Sequence, residues 1–524
     1  MTSSNRTTQQ PPNPLADPLT DHPRPGTLDI GFFGHPRGLS TLFFTEMWER
    51  FSYYGMRAFL ILYMVHALGF DDKHAGSVYG TYTASAWAAA IFGGIIADRW
   101  LGQYKSVLIG GIIIAAGHFT LEFHPLPFFY TGLGLIVVGT GLLKPNVSGI
   151  VGSLYETNDA RRDAGFSIFY MGINSGSFLG QIVTGALGER VGWHWGFGAA
   201  GVGMLIGLLV FGIRASKTLG NIGLETTKHP DPVVQAKQIR NAKLGIAVGL
   251  SALALVIILA ATGAITLDPQ AIGRSMTYVL VGLGVAYFGY VFTAGGLTSD
   301  ERKRTVVILV LFVFSAIFWS AFEQAPTSLN LFARDFTDRQ LGGFTIPATW
   351  FQSVNSLFII IMAPVFALIW SGLAKGGLNL SSPSKFAIGL FATGAAFLLM
   401  WIASNIIVGS GGTVKVSPWW LVSSYFLQTV GELSISPVGL SSMTKLSPRR
   451  YVGQMMGVWF LATALGNLIA GLVGGSVNPE NLAETPKLFM LTTSSLVVAG
   501  VVLALLIVPI RNMMARQTDT AGTL

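Results

Sequence analysis

The sequence predicts an all-α polytopic membrane protein with two six-helix bundles and an inserted pair of transmembrane helices. Three observations support this fold class. The 524 residues are 51% hydrophobic and only 11% charged, whereas soluble domains carry about 25% charged residues. Apolar stretches of bilayer-spanning length recur along the chain. Lys and Arg concentrate in alternate connections between those stretches, as expected for a membrane topology.

The number of spanning helices follows from the apolar stretches, since a spanning helix needs about 20 mostly apolar residues. Fourteen stretches satisfy this requirement: roughly 41–66, 75–97, 105–122, 126–150, 163–187, 193–213, 243–264, 275–297, 305–325, 346–371, 384–408, 417–441, 450–476 and 486–510. With both termini cytoplasmic, 23 of the 33 Lys and Arg residues lie in cytoplasmic segments and seven lie outside. This bias predicts cytoplasmic termini. The other three, Arg50, Arg57 and Lys144, fall inside predicted spans.

The domain organisation follows from the longest polar connection, 214–242, which comes after six spans. The next two spans contain no charged residue in their interiors and are interpreted as an inserted pair. Twelve helices in two bundles of six are typical of secondary transporters, which bind substrate between the bundles. The predicted divisions are a disordered cytoplasmic tail 1–37, an N-terminal bundle 38–213, a linker with the inserted pair 214–304, a C-terminal bundle 305–510, and a cytoplasmic tail 511–524.

Several function classes are excluded by composition and motifs. The net charge is +8, but the basic residues are scattered between apolar runs and form no nucleic-acid-binding face. The chain has no Cys, which excludes disulfides and thiolate metal sites. No HExxH pair, GxSxG elbow or P-loop is present, and the eight His lack metal-ligand spacing. We therefore expect no enzyme activity and no cofactor.

The first span has one polar face. At about 100° per residue, its polar residues fall within an arc of about 140°. They are Glu46, Glu49, Arg50, Tyr53, Tyr54 and Arg57. Charged groups are costly in lipid, so this face must line a cavity or a helix contact. A structural ion-pair ladder between Glu46 and Arg50, with Arg57 snorkelling to the interface, is the alternative.

Other spans contain isolated polar groups. Lys144 precedes Pro145 and is either functional or a lysine that snorkels to the interface. Glu323 and Glu432 have no cation nearby in the sequence, so each must be protonated or paired across helices. Asn174 and Asn355 lie within spans, where an amide either binds a ligand or joins two helices.

These groups suggest the chemistry of a substrate. Arg50, Arg57 and Lys144 belong to one half of the chain, and Glu323 and Glu432 to the other. A zwitterion would complement that arrangement, with its carboxylate on the cations and its ammonium on the carboxylates. Trp319 and Trp459 would form apolar walls for variable side chains. The substrate expected on this reasoning is a short peptide or an amino acid.

Three segments resemble known families. The segment 93–105, GGIIADRWLGQYK, resembles the cytoplasmic signature of the major facilitator superfamily. EMWERFSYYGMRA, at 46–58, resembles the ExxERF-YYG motif of the proton-dependent oligopeptide transporter (POT/PTR) family, and FYMGINSG, at 169–176, resembles that family's second signature. The resemblance extends over nearly all of 40–510, including the extra helix pair of bacterial members. It implies a major facilitator fold and a di-/tripeptide:proton symporter.

The resemblance also implies residue roles. The proton-coupling residues would be Glu46, Glu49, Arg50, Lys144 and Glu323. The peptide-binding residues would be Arg50, Tyr54, Arg57, Tyr82, Lys144, Asn174, Trp319, Asn355, Glu432 and Trp459. Protons would be the coupling ion, and the protein would work as a monomer in the inner (plasma) membrane. The alternatives are a facilitator-type carrier of nitrate, an amino acid or a drug, and a peptide sensor that does not transport.

Overall fold

The computed structural model describes residues 31–123, 125–156, 159, 161–226, 231–262, 268–378, 380–448, 451–477 and 480–515. Most of the predicted N-terminal tail, residues 1–30, lies outside the described residues. The same holds for 516–524 of the predicted C-terminal tail.

The chain is helical, with one small hairpin, and its helices are numbered in chain order. They are α1 Arg37–His66, α2 Asp72–Ile96, α3 Gln103–Thr120, α4 Leu126–Ser153, α5 Arg162–Arg190, α6 Trp193–Thr218, α7 Pro232–Ala261, α8 Pro269–Thr293, α9 Ser299–Phe322, α10 Ser328–Phe336, α11 Trp350–Lys375, α12 Ser382–Gly409, α13 Trp419–Leu446, α14 Val452–Gly474 and α15 Glu484–Ala515. A π-helical turn, Ala97–Leu101, follows α2. Strands β1 Gln340–Leu341 and β2 Phe344–Thr345 pair antiparallel.

The all-α prediction is confirmed, and each predicted span coincides with a long helix. Within the described ranges, eight helices are long and apolar enough to cross a membrane: α4, α6, α8, α9, α11, α12, α14 and α15. Helix α1 is not among them, since it carries several charged residues. The total of fourteen spans therefore stays a prediction.

Some helix ends differ from the predicted span boundaries. Helix α7 begins at Pro232, inside the predicted linker, because the Asp231 carboxylate accepts a hydrogen bond from the Val233 backbone N–H and so starts the helix early. Helix α15 continues five residues past the predicted end at 510. The connection between 325 and 346 was expected to be a loop but contains α10 and the β1–β2 hairpin.

Helix packing gives two sets of six helices. In the first set, α1 packs on α5 and α6, α4 on α2 and α3, and α3 on α6. In the second set, α11 packs on α13, α12 on α13 and α15, and α9 on α13, α14 and α15. The sets meet where α2 packs on α14 and α5 on α11. Helix α8 of the inserted pair lies against both α2 and α14.

The contact between α2 and α14 is made by glycine. A Cβ at Gly76 would lie 2.4 Å from the carbonyl oxygen of Gly471, and a Cβ at Gly471 would lie 2.4 Å from the Cα of Gly80. Neither distance is compatible with a side chain. The two backbones touch here, which small residues allow between membrane helices.

Candidate functional site

The polar face of α1 is buried. Glu46 is 1% exposed, Glu49 is 0% exposed and Arg50 is 1% exposed. The Arg50 guanidinium donates to both Glu49 oxygens, with a distance of 2.6 Å from Nη2 to Oε1. Its Nε lies 3.4 Å from Glu46 Oε1. The Glu46–Arg50 pairing of the ion-pair alternative is therefore present, with Glu49 as the closer partner.

Arg57 joins the two sets of helices. Its guanidinium forms a buried ion pair with Glu323, at the end of α9, and donates to the Tyr79 hydroxyl of α2. The rings of Tyr53 and Tyr54 lie 5.9 and 5.5 Å from the guanidinium carbon. The snorkelling alternative for Arg57 is wrong in this structure. Of the two possibilities for Glu323, pairing across helices is the one observed.

Lys144 contacts an aromatic ring. Its Nζ lies 4.9 Å from the ring centroid of Trp87 in α2, within range of a cation–π interaction. The ammonium also interacts electrostatically with Glu46, Glu49 and Arg50 of α1. Lys144 thus belongs to the charged group around α1, and its ammonium lies against a neighbouring helix and not at the end of its own.

A second group of polar side chains joins α5, α11 and α13. Glu432 accepts hydrogen bonds from the Tyr170 hydroxyl at 3.4 Å and from Asn355 Nδ2 at 3.3 Å. Asn355 also donates to Thr429 Oγ1 at 3.0 Å, so it joins two helices. Asn174 donates to the backbone oxygen of Tyr170, one turn earlier in its own helix. Within the part of the chain that the structure describes, Glu432 has hydrogen-bond donors but no cation as a partner.

The two groups are close enough to interact. Tyr170 lies near Tyr54 of α1, and Glu432 lies near Glu323 of α9, where two ionised carboxylates would repel each other. The structure therefore brings most of the predicted site residues into one region between the two sets. This region has cations on the side of the first set and Glu432 on the side of the second.

The predicted aromatic residues occupy different places. Trp319, in α9, packs closely on Gly466 of α14. Trp459 is 4% exposed and fills the space beside Gly439 of α13. Its ring also packs edge-on against Phe386 of α12. In this conformation Trp459 is thus a packed interior side chain of the second set.

Several buried polar atoms are left without a hydrogen-bond partner. Within the described part of the chain they include Glu46 Oε2, Arg57 Nη1, Tyr82 Oη, Trp319 Nε1 and Gln428 Oε1. Buried polar groups are usually satisfied, so the unpaired atoms of Glu46, Arg57 and Tyr82 are available to a polar ligand or water. In the described ranges, no group of three or more His, Asp or Glu is placed to hold a metal ion.

Helix α5 ends in a carboxylate that caps the start of α11. Glu189 accepts hydrogen bonds from the backbone N–H groups of Ala348 and Thr349, both at 2.9 Å, and from Thr349 Oγ1 at 2.7 Å. Arg339 Nη1 lies 3.8 Å from the same carboxylate. Arg190 donates to the Thr345 backbone oxygen. The two sets are therefore joined at the end of the molecule that the charge bias places outside.

A backbone oxygen of α1 makes a second connection at this end. The carbonyl of Ala58 accepts Asn330 Nδ2 at 2.7 Å and Gln352 Nε2 at 3.0 Å. Both amide side chains are almost completely buried and come from α10 and α11. Two donors on one carbonyl, adjacent to Arg57, hold α1 against the second set.

Charged residues surround the start of α2 at the same end, before the predicted span 75–97. Burial raises the pKa of Asp72 to about 6, and the positive charge of Arg334 partly opposes that shift. The negative charges of Asp71, Asp335 and Glu480 raise the pKa of Asp72 further. We call Asp71, Asp72, Asp335 and Glu480, together with Arg334, the outer acidic cluster. Since Arg334, Asp335 and Glu480 belong to the second half of the chain, the environment of Asp72 depends on contact between the two halves.

Four residues of the site were not predicted from the sequence: Tyr79, Trp87, Tyr170 and Thr429. Tyr170 lies inside the FYMGINSG segment, and Tyr79 lies about one turn before Tyr82. Their positions next to predicted site residues could therefore have indicated both. Trp87 and Thr429 carried none, since each looks like an ordinary residue of an apolar helix.

Comparison with known proteins identifies similar chains. The model of the POT family matches residues 104–488. The peptide transporter YePEPT of Yersinia enterocolitica is 46% identical over 495 residues, 92% of this chain and 96% of the relative. The di-/tripeptide transporter of Lactococcus lactis subsp. cremoris is 36% identical over 506 residues, 92% of this chain and 97% of the relative.

Solved structures give the same picture. A crystal structure of the peptide transporter POT in complex with sulfate is 40% identical, with a TM-score of 0.84, and covers 92% of this chain and 97% of the other. The tetrameric PepTSo2 is 29% identical, with a TM-score of 0.73, and covers 91% and 98% of the two chains. These neighbours support the two-bundle fold.

Proposed function

This chain belongs to the POT family of multi-span membrane transporters, and from that membership we propose that it carries di- and tripeptides into the cell together with protons. The observation that carries the proposal is the placement of charge. Arg50, Arg57 and Lys144 lie on one side of the region between the helix sets, and Glu432 lies on the other.

Peptide binding would use both sides of this region. The peptide carboxylate would approach Lys144 and the unsatisfied Nη1 of Arg57, since charge-assisted hydrogen bonds are the strong ones. The peptide ammonium would approach Glu432, which has only neutral partners at present. Asn174 and Asn355 would contact the backbone, and Tyr54, Tyr82, Trp319 and Trp459 would line the site.

Proton coupling follows from the balance of charge around α1. Three cations, Arg50, Arg57 and Lys144, face three carboxylates, Glu46, Glu49 and Glu323. A peptide carboxylate would leave this group with one negative charge in excess. An uncompensated buried charge is costly, so uptake of one proton by a carboxylate would accompany binding. Glu46, whose Oε2 has no partner, is the residue we propose to accept it.

Alternating access would then open and close the ends of the site. Three of the contacts between the sets lie at the predicted outer end: Glu189 on α11, the two amides on Ala58, and the glycine contact of α2 with α14. We assign this conformation to a state closed to the outside, with both termini cytoplasmic and the chain in the inner membrane. The moving units would be 38–213 and 305–510, with 243–297 as an inserted pair.

The functional unit is proposed to be a monomer, although one relative is tetrameric. Light scattering of the detergent-solubilised protein, corrected for bound detergent, measures its mass. A tetramer that persists on dilution would overturn this assignment.

The deciding experiment follows dialanine uptake into liposomes with an imposed inward proton gradient. Accumulation against the dipeptide gradient, abolished by an uncoupler, is the expected result. Exchange without accumulation would contradict proton coupling. Failure of any dipeptide to compete, together with uptake of nitrate or a free amino acid, would replace the peptide assignment with a different solute.

A further inference from the structure

We propose that Trp87 is a positioning residue that connects the charge of Lys144 to the contact between α2 and α14. The proposal rests on the proposed function, because it treats Lys144 as part of the coupling group. It assigns a role to a residue that has no acid–base chemistry of its own.

The first step is the contact between Trp87 and Lys144. The ammonium nitrogen lies 4.9 Å from the indole centroid, and an indole ring is the strongest of the aromatic partners for a cation. Within the described ranges, no hydrogen bond or ion pair of Lys144 is found. The indole face is thus the contact that holds this ammonium, and such contacts strengthen where water is excluded.

The second step is the contact between Trp87 and the other helix set. Its ring stacks on Phe460 of α14, with centroids 5.8 Å apart and ring planes 19° from parallel. Trp87 follows Gly80 by seven residues, which is about 10 Å along α2. The stack therefore lies next to the glycine contact, toward the middle of the helix pair.

The third step joins the two contacts through one rigid ring. Helices α2 and α14 belong to different sets, so any relative movement of the sets displaces Phe460 from Trp87 or tilts the indole. Either change alters the ring face offered to Lys144. In the present conformation an uncharged partner holds the ammonium, while Arg50 pairs with Glu49. Loss of the stack would weaken the cation–π contact that favours the charged ammonium.

The weakening of this contact can be measured through the pH dependence of uptake. The charged groups that act most strongly on Lys144 in the described structure come from α1: Glu46, Glu49, Arg50 and Arg57. Removing the indole takes away an interaction that favours the charged ammonium. The alkaline limb of the pH profile of uptake should therefore move to lower pH, by up to about 1.5 units for a desolvated cation–π contact of about 2 kcal/mol.

Three variants separate the two contacts. Trp87→Leu removes both, Trp87→Phe keeps a weaker ring, and Phe460→Leu removes the stack without touching Lys144. Proton-driven dialanine uptake is measured across pH in liposomes, and dialanine exchange without a gradient shows that each variant is folded. Trp48→Leu is the matched control, since it removes an indole that packs on Phe51 within the first set.

The expected result is a shift of the pH profile for Trp87→Leu, a smaller shift for Trp87→Phe, and a shift in the same direction for Phe460→Leu. Trp48→Leu should keep the wild-type profile. Unmoved profiles for Trp87→Leu and Phe460→Leu, or equal shifts in the control, would overturn the inference. If Trp87→Leu does not fold, the other two variants decide. Failure of the wild type to accumulate dialanine would instead refute the proposed function itself.

Discussion

Replacing Glu189 by Ala should open the predicted outer end of the protein. The Glu189 carboxylate of α5 receives three hydrogen bonds of 2.7 to 2.9 Å from the start of α11. It also lies at a helix N-terminus, where a negative charge is favourable. These bonds exist only while α5 and α11 are in contact, so they stabilise the closed outer end relative to the open one.

The magnitude follows from the environment of the carboxylate. Hydrogen bonds to charged groups contribute about 1.5–3 kcal/mol each. The Glu189 side chain is 14% exposed and would be rehydrated in the open state, so the net effect of all three bonds is taken as about 2 kcal/mol. At 1.4 kcal/mol per factor of ten, this shifts the closed-to-open ratio by about 30-fold. Glu189→Gln keeps one acceptor oxygen and should shift the ratio by about fivefold.

The assay uses the absence of Cys from the chain, since labels can be placed without removing native thiols. Spin labels at Leu126→Cys and Trp419→Cys would lie at the starts of α4 and α13, where both side chains are exposed. Glu189→Ala should add a longer-distance population. Glu122→Ala is the control, because Glu122 lies beside Gly198 of the same helix set. An unchanged distance distribution in Glu189→Ala would refute the reasoning.

Three further results are expected. Asn330→Leu removes one of the two amide donors to the Ala58 carbonyl. It should lower the closed-to-open ratio about fivefold in the same distance measurement. An unchanged ratio would show that this contact does not stabilise the closed state. Burial in the closed state raises the pKa of Asp72 to about 6 from the ordinary 3.8, so closure should be strongest below about pH 4 and should weaken as pH rises to about 6. Asp72→Asn should abolish this dependence, and its persistence would point to another member of the outer acidic cluster. Glu46→Gln should retain dialanine exchange and lose proton-driven accumulation, whereas unchanged accumulation would remove Glu46 from the coupling group.

The polar face of α1 could be predicted from the sequence because helix geometry is local. A period of about 100° per residue places Glu46, Arg50 and Arg57 on one side regardless of the rest of the chain. Their partners could not be predicted in the same way. Arg57 pairs with Glu323, 266 positions away. Nothing in the sequence distinguishes Glu323 from Glu432 as the partner of Arg57.

Residues that act through packing were the hardest to predict. Trp87 is one aromatic residue in an apolar helix, and only the fold brings Lys144 and Phe460 to it. Glu189 stands at the end of a predicted span, where charged residues are common and carry no specific signal. The role of Trp459 stays a prediction, since its ring packs on Gly439 in this conformation.

The glycine contact between α2 and α14 has a mechanical consequence. Flexible side chains at such a contact would allow the two helices to close over a range of angles. The backbones of Gly76 and Gly471 are in direct contact and cannot approach further. Closure of the two helices therefore ends at one defined angle. A single methyl group at Gly76 would hold the two backbones apart, so closure would stop before the outer ends of α2 and α14 meet.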